Sequence, residues 1–161
     1  MWTLLAQQMK YKLFAWLILQ NRLWTADQLQ RRGWPNCGTC KLCNHEPETA
    51  AHLLFGCRYT IRVWGLLKDW LGLHFIIQSS WTAWDSVKDW WSGVLDVSGV
   101  QRKAMCSIIM LTSWNIWNER NARVFQNEFA SPSTTLAKIK IDVKNWALAG
   151  AKHLSHIVPG E

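Results

Sequence analysis

Three cysteines and one histidine lie close together in the sequence, in the order Cys40, Cys43, His52 and Cys57. Their spacing is C-x2-C-x8-H-x4-C. Thiolate sulfur and imidazole nitrogen suit zinc, and four such ligands complete a tetrahedron. Asn44 favours the tight turn that points both sulfurs of the first pair at one centre, because Asn tolerates the left-handed backbone conformation. The pattern predicts a structural Zn2+ site, since four protein ligands leave no position for a reacting water.

A second C-x2-C pair, Cys37 and Cys40, competes for the metal. We favour Cys40 with Cys43, because Lys41, which would follow the rival pair, lacks the turn preference of Asn44. Cys37 is then a spare thiol near the site. The opposing hypothesis is that the cysteines cluster by coincidence as buried or free thiols.

The composition limits the class of protein. The chain has 161 residues, 13 of them Trp, and only 18% are charged. This excludes a disordered tail. The longest purely apolar run, residues 13–19, is too short for a membrane span, which needs about 20 residues. No small-residue cleavage site follows it, so we expect an intracellular protein of the nucleus or cytoplasm, neither secreted nor in a membrane.

Positive charge is concentrated in the N-terminal part of the chain. Residues 1–68 hold nine basic and three acidic side chains, residues 69–99 one and four, and residues 100–161 eight and four. The net charges are therefore +6, −3 and +4, within a total of +7. A basic N-terminal part permits contact with phosphate backbones, although it is also compatible with an ordinary solvated surface.

The hydrophobic periodicity predicts an all-α fold: short helices around a Cys3His zinc-binding loop, then a Trp-rich helical C-terminal region. Thr25 to Gln28 has the spacing of a capping box, and Ser98 is a candidate cap. A loop is expected over 34–47, and Gly72 is a plausible helix end. Helices are predicted over residues 8–22, which we expect to be well buried, and then from 25 to 31, 48 to 72, 82 to 93, 100 to 125 and 133 to 148.

These elements divide the chain in two. We predict a zinc-binding domain over residues 1–72 and a helical C-terminal region over residues 73–161. The boundary rests on the variable stretch at residues 73–82, where the metal-bearing part gives way to the remaining helices.

Several stretches resemble the zinc-binding domain that follows the reverse transcriptase in polyproteins of plant LINE-type, non-LTR retrotransposons. The resemblance covers roughly residues 8–70. The family's ligand pattern maps onto Cys40, Cys43, His52 and Cys57. A weaker likeness joins residues 114–125 to the segment that often ends such polyproteins. The matching stretches are residues 12–17, 21–29, 31–34, 40–43 and 48–55, with Cys57 and Trp64.

The resemblance implies binding of template RNA or target DNA without catalysis. Polymerase chemistry needs paired carboxylates that hold two metal ions, and the chain offers no Asp-Asp pair near a turn. Trp34 is the candidate for base stacking, although it could instead be apolar cover for the zinc loop. The candidates for phosphate contact are Arg22, Arg31, Arg32, Lys41, Arg58 and Arg62.

Two alternatives remain open at this point. One is a zinc-stabilised structural or protein-interaction domain, whose partner would contact a Trp-rich surface in the acidic middle of the chain. The other is a retroelement remnant that does not bind nucleic acid. The tryptophans of the acidic middle are Trp70, Trp81, Trp84, Trp90 and Trp91.

Overall fold

Helices with clear sequence signals make up most of the secondary structure. A computed structural model describes residues 2–160, and within that range it contains helices, turns and one isolated β-bridge but no strand. This confirms the predicted all-α fold. The α-helices are α1 (Trp2–Leu19), α2 (Ala26–Arg31), α3 (Arg58–Leu71), α4 (Val87–Asp96), α5 (Arg102–Asn121), α6 (Pro132–Leu148) and α7 (Lys152–Ser155). Two π-helical turns (His52–Gly56 and Ala122–Gln126) and a 3-10 helix (Gln78–Ala83) complete the set.

Local signals place several helix ends correctly. Helix α3 stops at Gly72, whose φ of 66° is left-handed and therefore favours glycine. Helix α6 starts with Pro132 after Ser131, whose side chain accepts a hydrogen bond from the backbone N–H of Thr134. Helix α2 ends at Arg31, just before Gly33 with a φ of 74°.

The helix predicted over residues 82–93 is wrong in its position. Residues 78–83 form the 3-10 helix, and Trp84 is extended. Helix α4 begins only at Val87, because Ser86 caps it by accepting a hydrogen bond from the N–H of Asp89 at 3.1 Å.

The prediction that Ser98 caps the following helix is also wrong. Its hydroxyl bonds to the backbone of Val100, and Gln101 occupies the cap position of α5. At the other end, α5 gives way to the second π-turn, which stops at Asn127 with a φ of 53°.

Helix α1 buries one face only, contrary to the expectation that residues 8–22 are well buried. Phe14 and Ile18 lie in the core, and the ring of Trp114 on α5 meets Phe14 edge-on at 5.2 Å. On the other face, Met9 and Leu13 are 70% and 59% exposed. The apolar pattern of α1 therefore exceeds what the described part of the chain covers.

Tryptophans of the acidic middle mostly fill the core. Trp81, Trp90 and Trp91 are buried, and the rings of Trp81 and Trp90 meet edge to face at 5.3 Å. Trp70 is half-buried and Trp84 is exposed. The tryptophans suggested as a protein-contact surface therefore belong mostly to the core, because three of the five are buried and cannot contact a partner protein.

A buried ion pair joins the N-terminal part of the chain to α5. The guanidinium of Arg120 donates to both carboxylate oxygens of Glu48, at 2.7 and 3.0 Å. Glu48 also accepts a hydrogen bond from the N–H of Ala26 at 2.9 Å and so caps α2. The predicted capping box at Thr25 is wrong in this respect, since the Thr25 hydroxyl bonds to Asp27 and caps no backbone N–H.

The buried apolar residues form one cluster with members from both sides of position 72. The boundary between 72 and 73 stays a prediction. None of the helices between residues 2 and 160 has the length and apolar character that crossing a membrane requires.

Replacing Arg120 with Ala should lower the free energy of unfolding by about 3–5 kcal/mol, because Glu48 would keep its charge in the interior without a partner. Urea unfolding of the zinc-loaded protein, followed by far-UV circular dichroism, measures this change. The matched control is Arg102→Ala on the exposed start of the same helix, expected within about 0.5 kcal/mol of the parent. Equal stability of the two variants would contradict the role given to the pair.

Candidate metal centre and its surroundings

A short hairpin turn presents Cys40 and Cys43. Thr39 and Pro47 form the isolated antiparallel bridge at its base, and the N–H of Cys40 donates to the carbonyl of Glu46 at 2.8 Å. At the tip, Asn44 has a φ of 59° and donates its N–H to the carbonyl of Cys40. The left-handed residue thus lies where the sequence predicts the turn.

The first π-turn presents His52 and Cys57. In a regular α-helix, residues five apart point about 140° away from each other. Here the N–H of Cys57 donates to the carbonyl of His52 at 2.6 Å, which is the wider i to i+5 turn of a π-helix. The spacing H-x4-C therefore places both side chains on the same side of the backbone.

Side chains of α3 satisfy carbonyls of this π-turn. The hydroxyl of Thr60 donates to the carbonyl of Leu53 at 2.6 Å, and the indole N–H of Trp64 donates to that of Leu54 at 3.2 Å. All four residues are fully buried. These bonds stabilise the irregular turn from within the core, where an unpaired carbonyl would be costly.

The ligand atoms of Cys40, Cys43, His52 and Cys57 all lie within 4.8 Å of one another. The sulfurs of Cys40 and Cys57 are 3.9 Å apart, and Cys43 Sγ lies 3.4 Å from His52 Nε2. Zinc–sulfur bonds of about 2.3 Å in a tetrahedron require sulfurs about 3.8 Å apart. The four residues are therefore gathered closely enough to hold one tetrahedral metal ion.

Cys37 lies outside this group. It is exposed, and its Sγ lies 3.8 Å from the carbonyl oxygen of Thr39. Of the two rival pairs, the structure brings Cys40 and Cys43 together with His52 and Cys57.

Hydrogen bonding inside the cluster gives the thiols different acidities. The bond from Cys40 to Cys57, together with burial, raises the pKa of Cys40 to about 12. The same bond lowers the pKa of Cys57, whose sulfur is also close to the N–H groups of Tyr59 and Thr60 at the start of α3. Burial by itself lowers the pKa of His52, but bonds to Cys40 and Cys43 raise it overall.

Cys57 occupies the N-cap position of α3, where free N–H groups and the helix dipole favour a thiolate. The other three positions are also protein groups that bind zinc when deprotonated. Filled by four side chains, the site is closed and therefore structural.

Residues 1–64 match the family model described as zinc-binding in reverse transcriptase. That stretch contains all four residues of the cluster. The match and the geometry together indicate a zinc-binding module with structural Zn2+. No curated protein and no solved structure matches the chain.

A second arginine of the C-terminal region forms hydrogen bonds to the turn that carries Cys40 and Cys43. Arg123, in the second π-turn, donates to the carbonyls of Lys41 and Leu42 at 3.2 and 3.1 Å. These are the two residues between the paired cysteines. Its Nε also donates to Glu119 at 2.7 Å, and its guanidinium lies over the ring of Tyr59.

Sequence reasoning missed Glu48, Arg120 and Arg123 as supports of the module. Arg120 lies at the end of α5 and Arg123 three positions later in the second π-turn, a spacing that places both on one side of the helical segment. That spacing was the available signal, but it does not say which distant loop the arginines contact.

The predicted nucleic-acid residues are all at least partly accessible, and they lie on several elements of the fold. Trp34 and Lys41 line a groove beside the module. Arg22 lies over the ring of Trp16 at the end of α1. Arg31 and Arg32 are exposed at the end of α2, and Arg58 and Arg62 on the outer face of α3.

Trp34 is 59% exposed, and its ring lies parallel to that of Trp24 at 5.9 Å. The guanidinium of Arg32 lies over the Trp24 ring at 4.8 Å. Sequence reasoning selected Trp34 and Arg32 but missed Trp24, whose position was not distinguishable from a core position.

Replacing Cys43 with Ser should abolish stoichiometric zinc binding, because it removes one of the four ligands. Cys37→Ser should keep one zinc per chain, since Cys37 lies outside the group. Elemental analysis of the purified variants measures zinc directly. The opposite pattern would assign the metal to the Cys37–Cys40 pair.

Removing zinc with a chelator should lower the thermal midpoint of the parent and of Cys37→Ser, because metal binding contributes to folding. Hydrogen exchange should accelerate at residues 38–57, where backbone position depends on the ligands. Cys43→Ser serves as the control and should not respond to the chelator. An unchanged midpoint in the parent would contradict a structural role for the metal.

Proposed function

We propose that this chain is a non-catalytic zinc-binding module that binds RNA or DNA through basic residues near the zinc loop. The observation that carries the proposal is the exposed Trp34, which follows Arg31 and Arg32 in the sequence and lies parallel to Trp24, whose ring lies under the Arg32 guanidinium. Exposed rings with a cation close by offer both base stacking and phosphate contact. Because cellular RNA and DNA are found there, we propose the nucleus or cytoplasm as its location.

The charge of the module supports the proposal. Glu48, one of its three acidic residues, is buried against Arg120, and Asp27 is bonded to Thr25. Zinc at +2 and three thiolates add only about −1, so the basic excess of residues 1–68 remains. The cations proposed for phosphate contact are Arg22, Arg31, Arg32, Lys41, Arg58 and Arg62.

We further propose an origin in the reverse transcriptase polyprotein of a plant LINE-type, non-LTR retrotransposon. The family match over residues 1–64 concerns a zinc-binding domain of reverse transcriptases. The weaker likeness of residues 114–125 to the end of such polyproteins agrees with this origin. In this view, residues 1–72 are the zinc-binding domain, with Cys40, Cys43, His52 and Cys57 as ligands. Residues 73–161 are the helical region that supplies Arg120 and Arg123.

A protein-interaction role is the second candidate, and the exposed face of α1 favours it. Met9, Leu13 and Trp16 follow one another at helical spacing, and all are exposed. Such a surface would serve a partner protein whether or not the basic residues bind nucleic acid.

Nucleic-acid binding is tested by fluorescence anisotropy of the zinc-loaded protein with labelled RNA and DNA over a series of salt concentrations. Affinity should fall as salt rises, because bound phosphates release counterions. Joint replacement of Arg31 and Arg32 with Ala should lower the logarithmic salt slope by about 1–2.

The control replaces Lys138 and Lys152 with Ala, which removes the same charge from exposed positions on α6 and α7. It should keep the parent's slope. A slope near zero for the parent would sink the proposal and leave the protein-interaction role as the better explanation.

A further inference from the structure

An apolar groove of about 690 Å³ lies where the zinc-binding module meets the end of α5. Trp24, Trp34 and the loop at residues 35–39 form one wall. Trp117, on α5, and Phe125, in the second π-turn, form the other. The groove therefore needs both parts of the chain, and only one of its walls falls within the stretch matched by the family.

Aromatic rings with accessible surface dominate this groove. Phe125 is 75% exposed and Trp34 is 59% exposed, while Trp24 is 46% exposed beneath the parallel ring of Trp34. Trp64 and Trp90, by contrast, are fully buried, and the exposed aromatics outside the groove, such as Trp16 and Phe129, are not gathered around a common cavity with Trp34. The groove thus offers accessible ring surface from both parts of the chain.

Charge around the groove selects an anionic occupant. Lys41 lines it, and Arg32 lies at its margin over the Trp24 ring. Glu48 is the one acidic residue among the described residues that line it, and this carboxylate is buried and paired with Arg120. No lining acid is therefore left to repel a phosphate. An apolar helix of a partner protein would suit the rings but would leave the cations without a counterpart.

We propose that this groove binds the unpaired bases of single-stranded nucleic acid, with bases stacked on Trp34 and Phe125. Phosphates of the same strand lie at Arg32 and Lys41. Stacking of this kind needs free base faces, which a duplex hides within its own stack. The proposal rests on the proposed function and narrows it from nucleic acid in general to a single strand.

The test compares three labelled probes with the zinc-loaded full chain at one salt concentration. These are a 12-nucleotide oligouridine, a 12-nucleotide oligothymidine and a blunt duplex. Either single strand should bind at least about 10-fold more tightly than the duplex, and the two single strands distinguish RNA from DNA. Trp34→Ala and Phe125→Ala should each weaken single-strand binding by about 10-fold and leave duplex binding unchanged.

Two exposed aromatics outside the groove give matched controls. Trp16→Ala removes an exposed indole ring over which Arg22 lies, much as Arg32 lies over Trp24. Phe129→Ala removes an exposed phenyl group four residues from Phe125. Both should keep the parent's affinity for the single strands. Thermal midpoints of all four variants show whether a change in affinity reflects a loss of fold.

Cys37 provides an independent footprint, because this exposed thiol lines the groove. Saturating oligouridine or oligothymidine, whichever binds, should slow alkylation of Cys37 relative to Cys106, as read by mass spectrometry. An unchanged ratio would place the strand elsewhere.

The remaining outcomes separate this inference from the proposed function. Equal binding of duplex and single strand, with Trp34→Ala behaving like Trp16→Ala, would overturn the inference and leave nucleic-acid binding intact. No binding of any probe would overturn both. Self-association of the parent that Trp34→Ala abolishes would show that the groove holds a second copy, and would also overturn the inference.

Discussion

A carboxylate in a protein interior is costly unless a cation and hydrogen bonds accompany it, and Glu48 obtains both from distant segments. Arg120 pairs with it from α5, and the N–H of Ala26 reaches it from α2. Glu48 stands between the metal hairpin and the first π-turn. The pair therefore fixes the hairpin, α2 and the end of α5 relative to one another, and the groove exists only in that arrangement.

The features that could be predicted correctly from the sequence are those that neighbouring residues determine. Asn44 and Gly72 act within a few residues of themselves, so the metal-binding turn and the helix end follow from residue type. The metal-binding cluster could be predicted for the same reason, because its four ligands lie close together in the sequence. The π-turn at His52 could not, because Thr60 and Trp64 hold it from the following helix. The cap of α2 likewise depends on Glu48, far along the chain.

Tryptophan shows where residue type stops being informative. Trp90 is fully buried among other rings, whereas Trp34 is exposed over Trp24. Periodicity identifies an apolar helix face without saying what covers it, which explains the wrong expectation for α1. The abundance of Trp thus combines two uses, a ring-packed core and an open aromatic groove, that only tertiary contacts separate.

Arg120 at the end of α5 and Arg123 in the second π-turn also bear on how the zinc-binding stretch could be exchanged among proteins. The stretch that matches the zinc-binding family contains Glu48 but neither Arg120 nor Arg123. If this stretch were transferred to another protein, the buried carboxylate of Glu48 would lack its ion-pair partner. The carbonyls of Lys41 and Leu42 would likewise lack the guanidinium that binds them here. A recombination event that transferred only the segment with the metal ligands would leave out both of these arginines. The metal hairpin and its neighbouring carboxylate thus depend on two guanidinium groups from outside the stretch that defines the family.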